Sequence, residues 1–312
     1  MTAGALLFPG QGSQFAGMGK DLVERYPEAR AVYERADAAL EPLGLVVSRL
    51  SFKGTDEELK QTAVTQPAIL THAIAVWEVL KARGLSALIA AGHSLGEYAA
   101  LVAAGALTLE DAVLLVRRRG LFMQEAVPTG RGAMSAVIGL SPEDVAAACA
   151  EAVRTTGETC AAANFNAPEQ TVIAGTLASV ARAAELLKEK GVRRVLPLPV
   201  SAPFHCALMK PAEEKLSPFL DATAFTPMAF PVVTNVDAVP NADPLAAREA
   251  LRRQVCSPVR WVETVRFLSS SSALGIECGP GSVLQGLAKR IAKGWPVITT
   301  SDAAGIERLF AS

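Results

Sequence analysis

"AAGHSLGEYAAL", residues 90–101, places one serine between two glycines at the end of a short apolar run. Its centre is a G-x-S-x-G pentapeptide: Gly92, His93, Ser94, Leu95, Gly96. The preceding "SALIAA" has the composition of a buried strand, and "LGEYAALVAAGAL" after the serine reads as an Ala/Leu-rich helix. A strand that turns abruptly into a helix strains its turn residue and pushes that side chain into the open, and flanking glycines leave room for the turn. Ser94 is therefore a candidate nucleophile. The backbone N–H of Leu95, at the start of the helix, would point at an oxyanion formed on an attacked carbonyl.

The surrounding chain has 312 residues, half of them hydrophobic and 20% charged, enough for one large α/β core or a core with a smaller companion. With 30 basic and 31 acidic residues the net charge is −1, which offers no electrostatic case for nucleic acid or an anionic membrane. The opening "MTAGALLFPGQG" has no basic segment and too short an apolar run for a signal peptide. No stretch reaches the ~18 uninterrupted apolar residues of a membrane span. Cys149, Cys160, Cys206, Cys256 and Cys278 form no CxxC pair and no Cys/His cluster, so the expectation is a reduced, cytoplasmic protein without a structural metal. The near-neutral surface gives no reason to expect more than a monomer.

Outward from the serine, the chain opens with strand "ALLF" and turn "PGQGSQ". A long helix follows around residues 18–40, then a second helical pattern over about 56–83. A further helix starts at Thr108. Residues 128–200 change character: strand "GAMSAVIGL", a helix capped by Ser141 with Pro142 in its first turn, strands "TCAAANFN" and "QTVIAG" paired across "APE", a helix ending on Gly191, and strand "VRRVLPLPV". That β-α-β-β-α-β order is the ferredoxin-like unit. Strand "FPVVTNV", helices near 243–256 and 260–270, strand "LGIEC" and helix "VLQGLAKRIAK" complete the chain. The predicted architecture is an α/β-hydrolase-like core with a mostly parallel sheet, residues 1–127 and 201–312, interrupted by a small ferredoxin-like subdomain, residues 128–200. The cleft between them is the expected ligand site.

Three histidines are available as a base. Consecutive side chains at a strand end point to opposite faces, so His93 packs beside the turn rather than onto Ser94. His72 lies in line with apolar neighbours in "PAILTHAIAVWEVL" and reads as a core residue. His205, in "LPVSAPFHCALMKPA", follows the serine in chain order as in the hydrolases and is the candidate general base. Asp237 and Glu277 are the nearest strand-end acids, but neither has a motif around it, so the expectation is a Ser-His dyad whose imidazole a backbone carbonyl could orient. In the 108–126 helix, Glu110, Asp111, Arg117 and Arg118 fall on a polar, solvated side. Arg119 projects instead between Ala112 and Leu115, on the apolar side. A buried guanidinium needs a partner: either an internal carboxylate or a carboxylate on the acyl group, and spacing leaves both open.

Taken together, "FPGQGSQ" at 8–14, "GHSLGEYAAL" at 92–101, "RG" at 119–120, "GAMSAVIG" at 132–139, "NFNAPEQTVIAG" at 164–175, "PVSAPFHCALM" at 199–209 and "ECGPGSVLQGL" at 277–287 resemble the bacterial malonyl-CoA:acyl-carrier-protein transacylases in order and spacing. These are relatives of the acyltransferase domains of polyketide and fatty acid synthases. The resemblance runs over essentially the whole chain. It implies a malonyl ester on Ser94 with His205 as base, an oxyanion hole from Gln11 and the Leu95 N–H, and Arg119 on the malonyl carboxylate. It implies that the Gln254 backbone carbonyl holds the histidine, and that Met123, Asn164, Asn166 and Phe204 line the acyl and pantetheine pocket. Phe204 varies with Ser at its position among relatives and is weak evidence on acyl choice. The implied reaction needs no cofactor. Its partner is an acidic acyl carrier protein, for which Lys289, Arg290 and Lys293 form a candidate docking patch. Three other readings share the elbow or the fold: a polyketide acyltransferase, a serine thioesterase or hydrolase, and a non-catalytic interaction protein.

Overall fold

The computed structural model describes residues 3–200 and 202–311. Its first part comprises β1 (Ala3–Phe8), α1 (Lys20–Arg25), α2 (Pro27–Leu40), α3 (Val47–Lys53), α4 (Asp56–Lys60), α5 (Thr62–Ala82), β2 (Ser86–Gly92), α6 (Gly96–Ala103) and α7 (Leu109–Glu125). The middle part is β3 (Gly132–Ile138), α8 (Pro142–Thr156), β4 (Cys160–Ala167), β5 (Gln170–Thr176), α9 (Leu177–Glu189) and β6 (Arg194–Pro197). The last is α10 (Lys210–Ala222), β7 (Val232–Val233), β8 (Pro240–Asn241), α11 (Pro244–Gln254), α12 (Trp261–Ser271), β9 (Gly275–Glu277), α13 (Val283–Ile291), β10 (Val297–Thr299) and α14 (Ala303–Ala311).

Two sheets organise these elements. The larger runs β10-β9-β1-β2-β7-β8, parallel except for the β7–β8 pair, and the smaller is antiparallel in the order β4-β5-β3-β6. Period-two alternation sends Leu6, Phe8, Ala90 and Val232 to one face of the large sheet and Ala5, Leu7, Ile89 and Val233 to the other. Both faces are covered, the first by α5 and α7 among others and the second by α12 and α13. This double burial is why the strands read as apolar runs rather than alternating ones. The expected domain limit beside residue 201 falls on Ser201, which lies outside the described residues.

Several expected elements are divided or shortened. The helix expected over 18–40 breaks at Tyr26 (φ −122°, ψ 120°), because Pro27 disfavours helical backbone at the residue before it. The pattern over 56–83 splits at Gln61, which is extended at ψ 116°. The helix after Ser94 stops at Ala103 as Gly105 turns left-handed at φ +85°. Strand "FPVVTNV" contributes only Val232–Val233 to the ladder, since Asn235 leaves it for the site described below. β8, β10, α3 and α14 are additions to the elements expected from sequence. Helix α5 is long and apolar enough to cross a membrane, with mean hydropathy 1.2, but 94% of that window is buried inside the protein, as in a core helix.

Candidate active site

The C-terminal ends of β1, β2, β7 and β9 converge, and the turn from β2 into α6 sits at their centre. Ser94 holds φ +51° there. The glycines on either side have no room for a side chain. A Cβ on Gly92 would fall 1.8 Å from the Gly96 carbonyl carbon, and one on Gly96 would fall 2.0 Å from the Phe8 carbonyl oxygen. Asn235, just beyond β7, clamps the turn: its Oδ1 accepts the Ser94 N–H at 2.7 Å, and its Nδ2 donates to the Gly92 carbonyl at 2.6 Å. Gly96, Glu97 and Tyr98 give their N–H groups to the carbonyls of His93, Ser94 and Leu95. The Leu95 N–H has no acceptor among the described residues.

The Ser94 hydroxyl lies 2.8 Å from His205 Nε2. His205 Nδ1 lies 3.0 Å from the Gln254 backbone carbonyl, which can only accept, so Nδ1 carries the proton and Nε2 is free to take one from the serine. Neither strand-end acid reaches the ring: Asp237 is bound by Arg253 at 2.9 and 2.6 Å, and Glu277 accepts the N–H groups of Leu284 and Gln285 at the start of α13. His205 is buried, and burial together with the nearby Arg119 charge pushes its pKa down to about 3. It is therefore a neutral base at physiological pH.

Arg119 is 2% exposed, so its charge is buried. Its Nη1 donates to Gln66 Oε1 at 2.9 Å, and its Nη2 donates to Gln254 Oε1 and to the Ser94 hydroxyl oxygen, each at 3.0 Å. Nε has no partner among the described residues. Every acceptor is neutral. Of the two partners left open by spacing, an internal ion pair is not what the fold supplies, and burial depresses the guanidinium's pKa without discharging it. Arg117 and Arg118, expected on a solvated face, are only partly exposed. Arg117 donates to the Ala63 carbonyl at 2.7 Å, and Arg118 stacks 4.2 Å over the Phe219 ring.

A cavity of about 120 Å³ opens beside Ser94 between the two sheets. Gln11, Leu95, Met123, Asn164 and Phe204 line it with Ser94, Arg119 and His205, and the small sheet's side supplies Met134, Leu198 and Val200. Gln11 makes only a long 3.5 Å contact to Thr62. Asn166 is not among the lining residues. Its Oδ1 meets His93 Nε2 at 2.8 Å, and the His93 ring stands edge-on to Trp261 at 5.4 Å, beside the elbow as expected. His72 is fully buried in α5, also as expected. Lys289 and Arg290 are exposed on α13, where Arg290 reaches Gln170.

Three site residues escaped sequence reasoning. Gln66, Glu97 and Asn235 touch Arg119, Gln254 and Ser94 respectively. Glu97 is 1% exposed and accepts the Asn235 N–H at 2.9 Å and the Gln254 side-chain amide at 2.7 Å. Burial raises its pKa to about 7. A glutamate inside an Ala/Leu helix with no charged neighbour was the available signal.

A left-handed serine at a strand-to-helix turn, a histidine on its hydroxyl and a free helix-start N–H define an acyl transfer site. The acyl transferase domain family matches residues 5–304, and the chain belongs to it. The chain is 46% identical over 308 residues to the malonyl CoA-acyl carrier protein transacylase of Bacillus subtilis, covering 98% of this chain and 96% of that one. The crystal structure of an acyl carrier protein S-malonyltransferase from Vibrio cholerae superposes with a TM-score of 0.94 at 46% identity, covering 99% and 100% of the two chains. A malonyl-transacylase in complex with its type II PKS acyl-carrier protein superposes at 0.93, with 43% identity and 98% of each chain covered.

Proposed function

We propose that this chain carries a malonyl group from malonyl-CoA to the phosphopantetheine thiol of acyl carrier protein, by way of a malonyl ester on Ser94, supplying extender units for fatty acid synthesis. The observation that carries the reading is Arg119: a buried guanidinium whose acceptors are all neutral, 3.0 Å from the nucleophile's own oxygen. A carboxylate on the acyl group is the partner that position lacks, and a guanidinium fork selects for one.

Ser94 attacks the thioester carbonyl as His205 Nε2 takes the hydroxyl proton. The oxyanion is held by the Leu95 N–H and the Gln11 amide, and the carbonyl re-forms as CoA leaves with the proton returned by His205. The carrier's thiol then gives its proton to His205 and attacks the ester, and Ser94 leaves by taking that proton back. The imidazole is held throughout by the Gln254 carbonyl. Met123, Asn164 and Phe204 shape the acyl and pantetheine path, and Asn166 acts through His93. The scheme draws every group it uses from this chain and its two substrates, with no cofactor. Lys289 and Arg290 are the proposed carrier contact, and reversing their charges should raise KM for carrier protein alone. The five free cysteines fit a reducing, cytoplasmic setting, and one copy of the chain holds every group in the scheme. Residues 128–200 read as a ferredoxin-like subdomain on a hydrolase-like core, supported by the strand order β4-β5-β3-β6 with α8 and α9 between its strands.

Intact-protein mass after brief mixing with malonyl-CoA alone tests the reading. A single malonyl adduct, absent in Ser94→Ala, is expected. Malonyl-CoA consumed with no adduct would make the protein a hydrolase instead.

A further inference from the structure

We infer that Glu97 is the internal counter-charge of Arg119, held off from it by the Gln254 amide, and that a carboxylate arriving at Arg119 drives a proton onto Glu97. The inference rests on the malonyl reading above and assigns a positioning role to a residue outside the cavity. Gln254 stands between the two ions with its carbonyl oxygen toward the cation and its NH2 toward the anion, at 3.0 and 2.7 Å. The same NH2 reaches the Ser94 carbonyl at 3.0 Å, and the same residue's backbone carbonyl orients His205. One side chain thus couples the buried carboxylate to the nucleophile's turn, the base and the cation.

The spacer has a chemical consequence. A direct glutamate–arginine pair would occupy the guanidinium fork and leave nothing for a substrate. An amide between them lets Glu97 offset the buried charge while the fork stays on weaker, displaceable neutral acceptors. The other charged or titratable groups facing Glu97 are Tyr98 on its own helix, Asp237 beyond β7 and Arg253 on α11. Asp237 and Arg253 are bound to each other by two hydrogen bonds, so their fields largely cancel. Among the described residues, Arg119 is the one uncompensated charge that Glu97 faces. When a second carboxylate docks on Arg119, that stabilisation is shared and a new negative charge is added, and both effects favour the protonated acid. Glu97 already sits near the midpoint of its titration at neutral pH, since burial raises its pKa to about 7. The proton comes from buffer.

The test is calorimetric titration of Ser94→Ala, which binds without acylation, with malonyl-CoA in two buffers of different ionisation enthalpy, and with acetyl-CoA as the control for the CoA phosphates. Uptake of up to about half a proton per site is expected at pH 7 with malonyl-CoA and none with acetyl-CoA. It should vanish in Ser94→Ala/Glu97→Gln, which keeps a carbonyl acceptor for Asn235 and Gln254. Should the double variant not fold, the pH profile of the single variant decides. Uptake at Glu97 peaks above pH 7, whereas uptake at His205 would grow steadily into the acid range. Binding without proton uptake, uptake unchanged in the double variant, or an acid-range maximum would each overturn the inference and leave the malonyl reading standing. No binding of malonyl-CoA at all would overturn both.

Discussion

Ser94 and His205 meet at 2.8 Å across 111 residues of chain, and both hold their backbones in the left-handed region, at φ +51° and +60°. Neither is a glycine, so each stores strain of about 1–2 kcal/mol that the surroundings must over-determine. They do so for the serine through Asn235, which binds the turn on both sides, and for the histidine through the Gln254 carbonyl. Reactive geometry here is a property of clamped backbone as much as of side-chain choice.

If Ser94 is strained, removing its Cβ relieves it. Ser94→Gly should be more stable than Ser94→Ala by about 1 kcal/mol, a rise in Tm of about 2 °C for a chain of this size. Gly92→Ala should behave oppositely, losing more than about 3 kcal/mol or failing to fold, because its Cβ has backbone 1.8 Å away. Thermal melts of the three variants check both signs.

Arg119→Ala should lower kcat/KM for malonyl-CoA by about 30-fold to a few thousand-fold, the range for deleting one partner of a buried charge pair. Acetyl-CoA, which has no carboxylate, should be spared or improved. A parallel loss for both donors would mean that the guanidinium serves the fold rather than the acyl group. Steady-state kinetics with the two donors separates these.

His205 is depressed to about pKa 3, first by burial and then by the Arg119 cation. The acid limb of kcat/KM should therefore lie far below pH 6.5. In Arg119→Ala, assayed with acetyl-CoA, that limb should move to higher pH because one depressing cause is gone. The same depression has a stability consequence. A histidine lowered on folding contributes stability that is complete above pH 6.5 and lost as pH falls toward its folded value. His72, pushed down to about 4 by burial, adds to this acid sensitivity, and denaturant melts between pH 7 and 4 would register the decline.

Since a backbone carbonyl orients the base, no single acid-to-amide change should abolish acylation. Asp237→Asn severs a half-exposed pair with Arg253 worth at most about 1 kcal/mol, so single-turnover acylation should change by no more than about fivefold. A collapse of the rate would identify Asp237 as a true third member.

Much of this site was legible locally. Ser94 is framed by glycines within two residues, Arg119 by the apolar side of its own helix, and His205 by its place in a list of three histidines. What could not be read are the partners that turn these into a machine. Gln66 sits one residue before a proline in an apolar helix and looks like punctuation. Asn235 looks like the sixth residue of a strand, yet it has left the ladder to hold a turn 141 residues away. Glu97 and Gln254 are 157 residues apart, and no local period relates them. The break at Tyr26 was readable from Pro27. The two-residue length of β7 was not, because what shortens it is the distant demand for Asn235.

Gln254, the residue that binds the serine's turn, the histidine, the arginine and the glutamate, also has an order of arrival. A ribosome delivers Ser94 long before Asn235, and Asn235 before Gln254. Until Gln254 has emerged, the histidine has no carbonyl to orient it and no amide stands between Arg119 and Glu97. A prematurely terminated product would carry the serine but could not load it, so incomplete chains would neither trap acyl groups nor drain the thioester pool.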